Sequence, residues 1–390
     1  MRGRNVIRKL IHLTFAALLT GVVVAQDVAI RSDHPDRYVV VTGDTLWDIS
    51  ARFLDKPWQW PAIWHANPQV VNPHLIYPGD VLSLVYIDGS PQLQLSRADT
   101  VKLSPEVRRS APINAIPLKA IEPFLRDVRV LSPSEYDGLP YIVANEEKRL
   151  NATYADETYA RGLTAQVGDE FTVARLHSIY DQVDESGTIR RVWPKEHWKQ
   201  VPNVRNLNAG LWDDTEPWNR RPKNPVGYEL IIVSQVRVAR AGEISVLEIL
   251  RDRAEVQPGD FILPLDRSGY DSTYFPHAMD TVPEDLRILA TKDALYGVGH
   301  NQIVALNGGS RQGVENGHVF SVFRPGLKAD DRTGYRYGSF AQDSEVTLPD
   351  QYHALVMVFR TFDDISYALV MSGDNVVREF DVLRHPSERL

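Results

Sequence analysis

Cysteine is absent from all 390 residues. Without a thiol the chain carries no disulfide, no thiolate nucleophile and no cysteine-ligated zinc. Cysteine peptidases and cysteine-dependent transpeptidases are therefore excluded, and a lipidated N-terminal cysteine is not expected. A basic surplus is missing too: 43 Lys and Arg stand against 51 Asp and Glu, a formal charge of −8. Such a chain is repelled by phosphate backbones, so no nucleic-acid partner is expected. The histidines show neither H-x-H nor H-E-x-x-H spacing, and no G-x-S-x-G occurs. The glycine-rich stretch GVGHNQIVALNGG lacks the Lys-Ser/Thr of a phosphate-binding loop. His300 and His318 therefore read as structural, and no cofactor, no metal site and no catalytic residue are expected. Two carboxylates would suffice for a glycosidase, but the long amphipathic helices of a lysozyme-like domain are missing.

Long apolar runs are scarce. One extends from Leu10 to Ala25, preceded by Arg2, Arg4, Arg8 and Lys9 with no acid among them. A basic start, an apolar run and small residues before Gln26 fit a secretory signal peptide over residues 1–25. The alternative is an uncleaved membrane anchor. Losing this leader would make the exported chain more acidic still.

What the chain does have begins with TGDTLWDI at residues 42–49. It follows the β-branched run YVVV, which reads as a strand. Gly43 permits a sharp turn, Thr45 is a good N-cap, and Asp48 sits three residues on. Leu46, Ile49, Ser50 and Phe53 then share one helix face. DKPWQWP ends that helix, and Pro61 opens a second with Trp60, Ile63 and Trp64 as its apolar face. Two Asn-Pro steps in ANPQVVNPHL force an extended loop. IYPGD turns the chain and VLSLVYI alternates as a second strand.

Strand, helix, helix, strand, with a GDTLW turn, a central Asn-Pro and a YPG turn, resembles a LysM domain over residues 38–86. That family binds N-acetylglucosamine-containing glycans, chiefly peptidoglycan, in a groove between two loops. By position, the resemblance implies Gly43, Asp44, Thr45 and Leu46 on one lip. It implies Asn72, Pro73, Leu75, Ile76 and Tyr77 on the other. An acetamido sugar needs backbone donors and acceptors for its amide and an apolar floor for its methyl group. Against this, Leu46 and Ile49 also suit a core. Trp47, Trp60 and Trp64 read as packing, which leaves Trp58 as the candidate to stack on a sugar.

Residues 87–140 are proline-rich and weakly periodic, a connector with a short helix in PLKAIEPFLR. The remainder reads as β-rich. GYELIIVSQVRVAR with ISVLEIL forms one hairpin, and YHALVMVFRTFDD with ISYALVMSGD another. ARGLTAQVGDEFTVAR aligns with GSRQGVENGHVFSVFR, and Gly259-Asp260 with Gly373-Asp374. This implies duplicated units at 141–266 and 295–390, joined by a link at 267–294 containing a helix candidate, PEDLRILATKD. The alternative is that G-D turns simply recur between strands. A Trp-rich insertion spans about 192–226 within the first unit. The fold class is thus α+β: a small βααβ domain followed by a β-rich, duplicated region.

IVALNGGSRQGVENGHVFSVFRPG resembles the C-terminal domain of the flagellar assembly protein T family. The order of leader, LysM, connector, YIVA, VGDEF, GYEL and ALNGG is similar to the type IV pilus secretin-associated (TsaP-like) family. That resemblance implies a non-catalytic periplasmic protein that binds peptidoglycan and anchors the outer-membrane secretin of type IV pili to the cell wall. The alternatives are a peptidoglycan hydrolase targeted by its LysM domain, or a periplasmic flagellar ring component.

Overall fold

The structure is a computed structural model that describes residues 28–64, 76–87, 89–96, 113–181, 225–266, 274–292, 297–330 and 345–388. The leader, the Asn-Pro loop and nearly all of the Trp-rich insertion lie outside these residues.

At the N-terminus, β1 (Arg37–Val39) turns into α1 (Leu46–Phe53), a short 3-10 turn leads to α2 (Trp60–Ile63), and β2 (Val81–Ile87) returns antiparallel to β1. The Thr45 hydroxyl caps α1, accepting the Asp48 N–H at 3.1 Å and donating to the Asp48 carboxylate at 2.7 Å. Leu46, Trp47, Ile49 and Phe53 are buried together with Trp58, Trp60 and Ile63. The segment SPQLQLS, read from its proline as connector, is instead β3 (Ser90–Ser96), paired residue for residue with β2. Gly89, at φ 80°, turns this hairpin. Pro91 is tolerated because β3 is an edge strand, and Leu93 and Leu95 fasten it to the core.

The chain continues through α3 (Leu118–Arg126), β4 (Val128–Leu131) and α4 (Pro133–Tyr136) into two large sheets. The first contains β4 with β5 (Tyr141–Asn145), β6 (Glu157–Arg161), β7 (Glu170–Asp181), β8 (Pro225–Arg240), β9 (Ile244–Asp252) and β10 (Phe261–Pro264). Its order is β4-β8-β7-β10-β5-β6-β9, and β8 also pairs with β9, so the sheet closes on itself. The long strand β8 makes this possible, since Tyr228–Ile231 pair with β4 and Ser234–Arg240 pair with β9. Ile142, Val173, Val236, Leu247 and Ile262 fill the interior.

The second sheet contains β11 (His277–Ala278), β12 (Ile288–Thr291), β13 (Ile303–Leu306) and β14 (His318–Arg324). After a small hairpin, β15 (Lys328–Asp330) with β16 (Glu345–Thr347), come β17 (Gln351–Thr361), β18 (Ser366–Gly373) and β19 (Val382–Arg384). The order is β11-β14-β17-β18-β13-β12, with β19 on β14. Backbone bonds from Ile288 to Asp381 and from Leu383 to Leu286, both 2.9 Å, close this sheet as well. The run ALVMVF in β17 is apolar at every position because both faces are covered. Ala354, Val356 and Val358 point into the sheet's own core. Leu355, Met357 and Phe359 join a second core shared with the N-terminal domain and α3.

PEDLRILATKD is not a helix. Its Ile288–Thr291 form β12, with all four residues buried, so sheet burial overrides the helical pattern. The strands correspond in order: β5, β6, β9, β8, β7, β10 pair as β12, β13, β18, β17, β14, β19 do. Each set is locked by an Arg–Asp clasp. Arg175 holds Asp260 through two bonds, at 2.7 and 2.8 Å, and donates to the Glu255 carbonyl at 2.8 Å. Arg324 holds Asp381 through two bonds at 3.1 Å and donates to the Val376 carbonyl at 3.0 Å. The residue in the place of Asp260 is therefore Asp381, not Asp374.

Candidate functional site

The two lips inferred from the sequence are built on one turn. In the first, Asp44 accepts the Val41 N–H at 2.8 Å and the Tyr38 hydroxyl at 3.0 Å, and Gly43 takes φ 100°. In the second, Asp80 accepts the Tyr77 N–H at 3.0 Å and Gly79 takes φ 95°. Only glycine adopts such values without steric cost. Bonds between Val40 and Asp80 at 2.9 Å, and between Gly79 and Val40 at 2.8 Å, hold the turns side by side. Ile76 and Tyr77 of the second lip thus lie close to the mouth of α1. Asn72, Pro73 and Leu75 lie outside the described residues.

The proposed contacts divide by exposure. Gly43 is exposed, and Asp44 and Tyr77 are half-buried. Thr45 is 6%, Leu46 2% and Ile76 0% exposed. Trp58, at 3% exposure, packs inside the domain and offers no open face to a sugar.

Part of that burial comes from a segment that sequence reasoning did not connect with the site. Residues 113–116, INAI, lie along the groove between the lips. The N–H groups of Leu46 and Trp47, the free donors at the start of α1, reach the carbonyls of Asn114 at 3.0 Å and Ala115 at 3.3 Å. On the other side the Ile113 N–H reaches the Ile76 carbonyl at 2.8 Å. Thr45 and Asn114 pair as a parallel β-bridge. The only sequence signal for this contact was the brief apolar alternation of INAI among prolines.

Two further clusters hold groups capable of chemistry. Glu229 and Tyr180 of the first sheet meet Lys292, which follows β12, and Tyr367 of β18. The Glu229 carboxylate pairs with the Lys292 ammonium and accepts both tyrosine hydroxyls, that of Tyr367 at 2.5 Å. Burial alone would raise the Glu229 pKa, but Lys292 and the two hydroxyls hold it below the ordinary value. Tyr367 is pushed well above its ordinary range by burial and by its neighbours Tyr180 and Glu229. Glu229 and Lys292 are buried, at 1% and 6% exposure, and the partly exposed His177 places its Nε2 3.9 Å from the Glu229 carboxylate.

The second cluster brings together ligand atoms of His277, Glu315 and His318 within 4.8 Å of one another. Histidine spacing along the chain gave no hint of it. The hydrogen bond of His318 opposes metal binding there, whereas His277, whose Nδ1 donates to the Phe275 carbonyl at 2.9 Å, keeps its Nε2 lone pair. The Nδ1 of His318 accepts the Glu315 N–H at 3.0 Å, so the proton of the neutral ring sits on Nε2 and leaves no lone pair there. Burial, with His277 beside it, lowers the His318 pKa and favours that neutral ring. His318 in fact occupies the aspartate position of the same turn seen at Asp44 and Asp80, with Gly317 at φ 97°.

Residues 38–85 match the LysM domain family. The matched segment contains both turns and every proposed contact residue, and it does not reach the β-rich remainder. Among curated proteins none matches the chain. LysM domains bind peptidoglycan and other N-acetylglucosamine glycans, so the match suggests carbohydrate binding at this end of the molecule.

Proposed function

We propose that the chain is a non-catalytic protein of the periplasm that holds peptidoglycan through its LysM domain and an outer-membrane secretin ring through its β-rich remainder. The observation that carries the first half is the LysM match over residues 38–85. The leader-like residues 1–25 support export, and the order of leader, LysM, YIVA, VGDEF, GYEL and ALNGG, similar to the secretin-associated family, motivates the second half. A single small LysM domain binds weakly, and a ring of copies would supply avidity. The common strand order and the paired Arg–Asp clasps support an origin of the two β units by duplication. A non-catalytic role is supported by the burial and pairing of Glu229 with Lys292 and by the engagement of His318 in a turn.

The test is co-sedimentation with purified sacculi, paired with co-purification from envelopes. The full chain should pellet with sacculi, a chain lacking residues 38–96 should not, and type IV pilus secretin should accompany both. Lysis of sacculi by the purified protein would overturn the non-catalytic assignment. Recovery of flagellar ring proteins in place of secretin would overturn the partner.

A further inference from the structure

We infer that residues 113–116 are a built-in competitor for the LysM groove, a strap that a glycan must displace in order to bind. The inference rests on the glycan-binding reading above.

The argument starts from chemistry. The acetamido group of N-acetylglucosamine is a secondary amide, with one N–H donor and one C=O acceptor, and so is every peptide unit of the strap. The groove offers two N–H donors, on Leu46 and Trp47, and a carbonyl acceptor on Ile76. The strap engages all three: Asn114 and Ala115 carbonyls take the donors, and the Ile113 N–H takes the acceptor. Each bond runs in the direction that an acetamido ligand would need. Ile113 and Ile116 are 6% and 1% exposed and belong to the same core as Leu46 and Ile76. The strap therefore supplies apolar cover as well as amide groups. A sugar amide and the strap cannot use these groups together.

The strap also has a mechanical connection. It runs directly into α3, which is held on the second β unit by Arg360 of β17, whose guanidinium donates to the carbonyls of Phe124, at 2.7 Å, and Leu125. In the closed state the LysM groove is thus tied through a few residues to the second β unit. Expelling the strap removes those backbone ties, so occupancy of the groove is linked to how firmly the LysM domain is attached. A groove that is open for only a fraction of the time binds with an apparent affinity lowered by that fraction.

The experiment is hydrogen exchange on the full-length protein, with and without a soluble N-acetylglucosamine oligosaccharide, with binding measured in parallel by calorimetry. The same measurements are made on Ile113→Ala, which weakens the strap's hold while keeping all three backbone bonds available. Thermal unfolding shows that the variant is folded. The sugar should bind, the Ile113 amide should lose protection while Leu46 and Trp47 keep theirs, and Ile113→Ala should bind about tenfold more tightly. Binding by the variant alone would support the strap even more directly. Binding with unchanged protection of the Ile113 amide and equal affinity in the variant would overturn the strap and leave the glycan function standing. No binding by either folded protein would overturn the glycan reading itself and the strap with it.

Discussion

The two β units share a strand order and a clasp, yet they differ in what they hang on that frame. Each makes its longest excursion between the same two strands. In the first unit residues 182–224 leave from Asp181 and return at Pro225, a pair in register at the end of the β7–β8 hairpin. In the second, β14 and β17 are separated by residues 325–350, which include the small β15–β16 hairpin. They also differ in how far the long central strand is covered. In β17 the run His353–Phe359 is buried on both faces, whereas along its counterpart β8 buried residues are interspersed with half-buried ones and Arg237 and Ala239 are exposed. The frame is therefore what the units have in common, and the excursions and covered faces are what distinguish their surroundings.

The largest expected effect breaks the junction between the units. Glu229→Leu would leave the Lys292 ammonium buried without a counter-charge and should cost about 3–5 kcal/mol in denaturant unfolding. The double change Glu229→Leu with Lys292→Met should recover most of that loss. Removing each clasp is the next test. Asp260→Ala and Asp381→Ala should each cost about 2–3 kcal/mol, since each carboxylate bonds a guanidinium and a backbone N–H. Losses that differ by much more than 1 kcal/mol would count against equating the two clasps. A smaller effect concerns the residue before each aspartate. Gly259 sits at φ 94° and its counterpart Phe380 at φ 72°. Gly259→Ala should cost about 1–2 kcal/mol, while Phe380→Gly relieves strain and should change stability by less.

The pH dependence should be smaller again. The folded pKa of Glu229 is lowered from 4.5, so its contribution is complete above that pH and is lost as the pH falls through the lower folded value. The acid limb of the wild-type stability curve should therefore be steeper than that of the Glu229→Leu, Lys292→Met protein.

The sequence was most legible where structure is local. The cap at Thr45, the glycine turns and the two long hairpins follow from residues close in the chain. Three features were not legible, for separate reasons. β12 looked helical because its burial is imposed by strands far away in sequence. β3 was masked by a proline that an edge strand tolerates. The strap at 113–116 depends on contacts with residues 45–47 and 76, across an intervening connector, and no local pattern encodes such a meeting. The glycine–aspartate step misled in a different way. It marks a turn that occurs at Asp44, Asp80, Asp169 and Asp260 alike, each aspartate accepting the N–H three residues back. Its recurrence is a property of the turn, and the common strand order is the better basis for comparing the units.

The central claim, that the LysM domain holds the cell wall, is tested most directly by co-sedimentation of the full-length protein with purified sacculi. Saturable pelleting that is competed by N-acetylglucosamine oligosaccharide, and lost when residues 38–96 are removed, is the result predicted. Equal pelleting of the chain without those residues, or no pelleting by either chain or by Ile113→Ala, would contradict it.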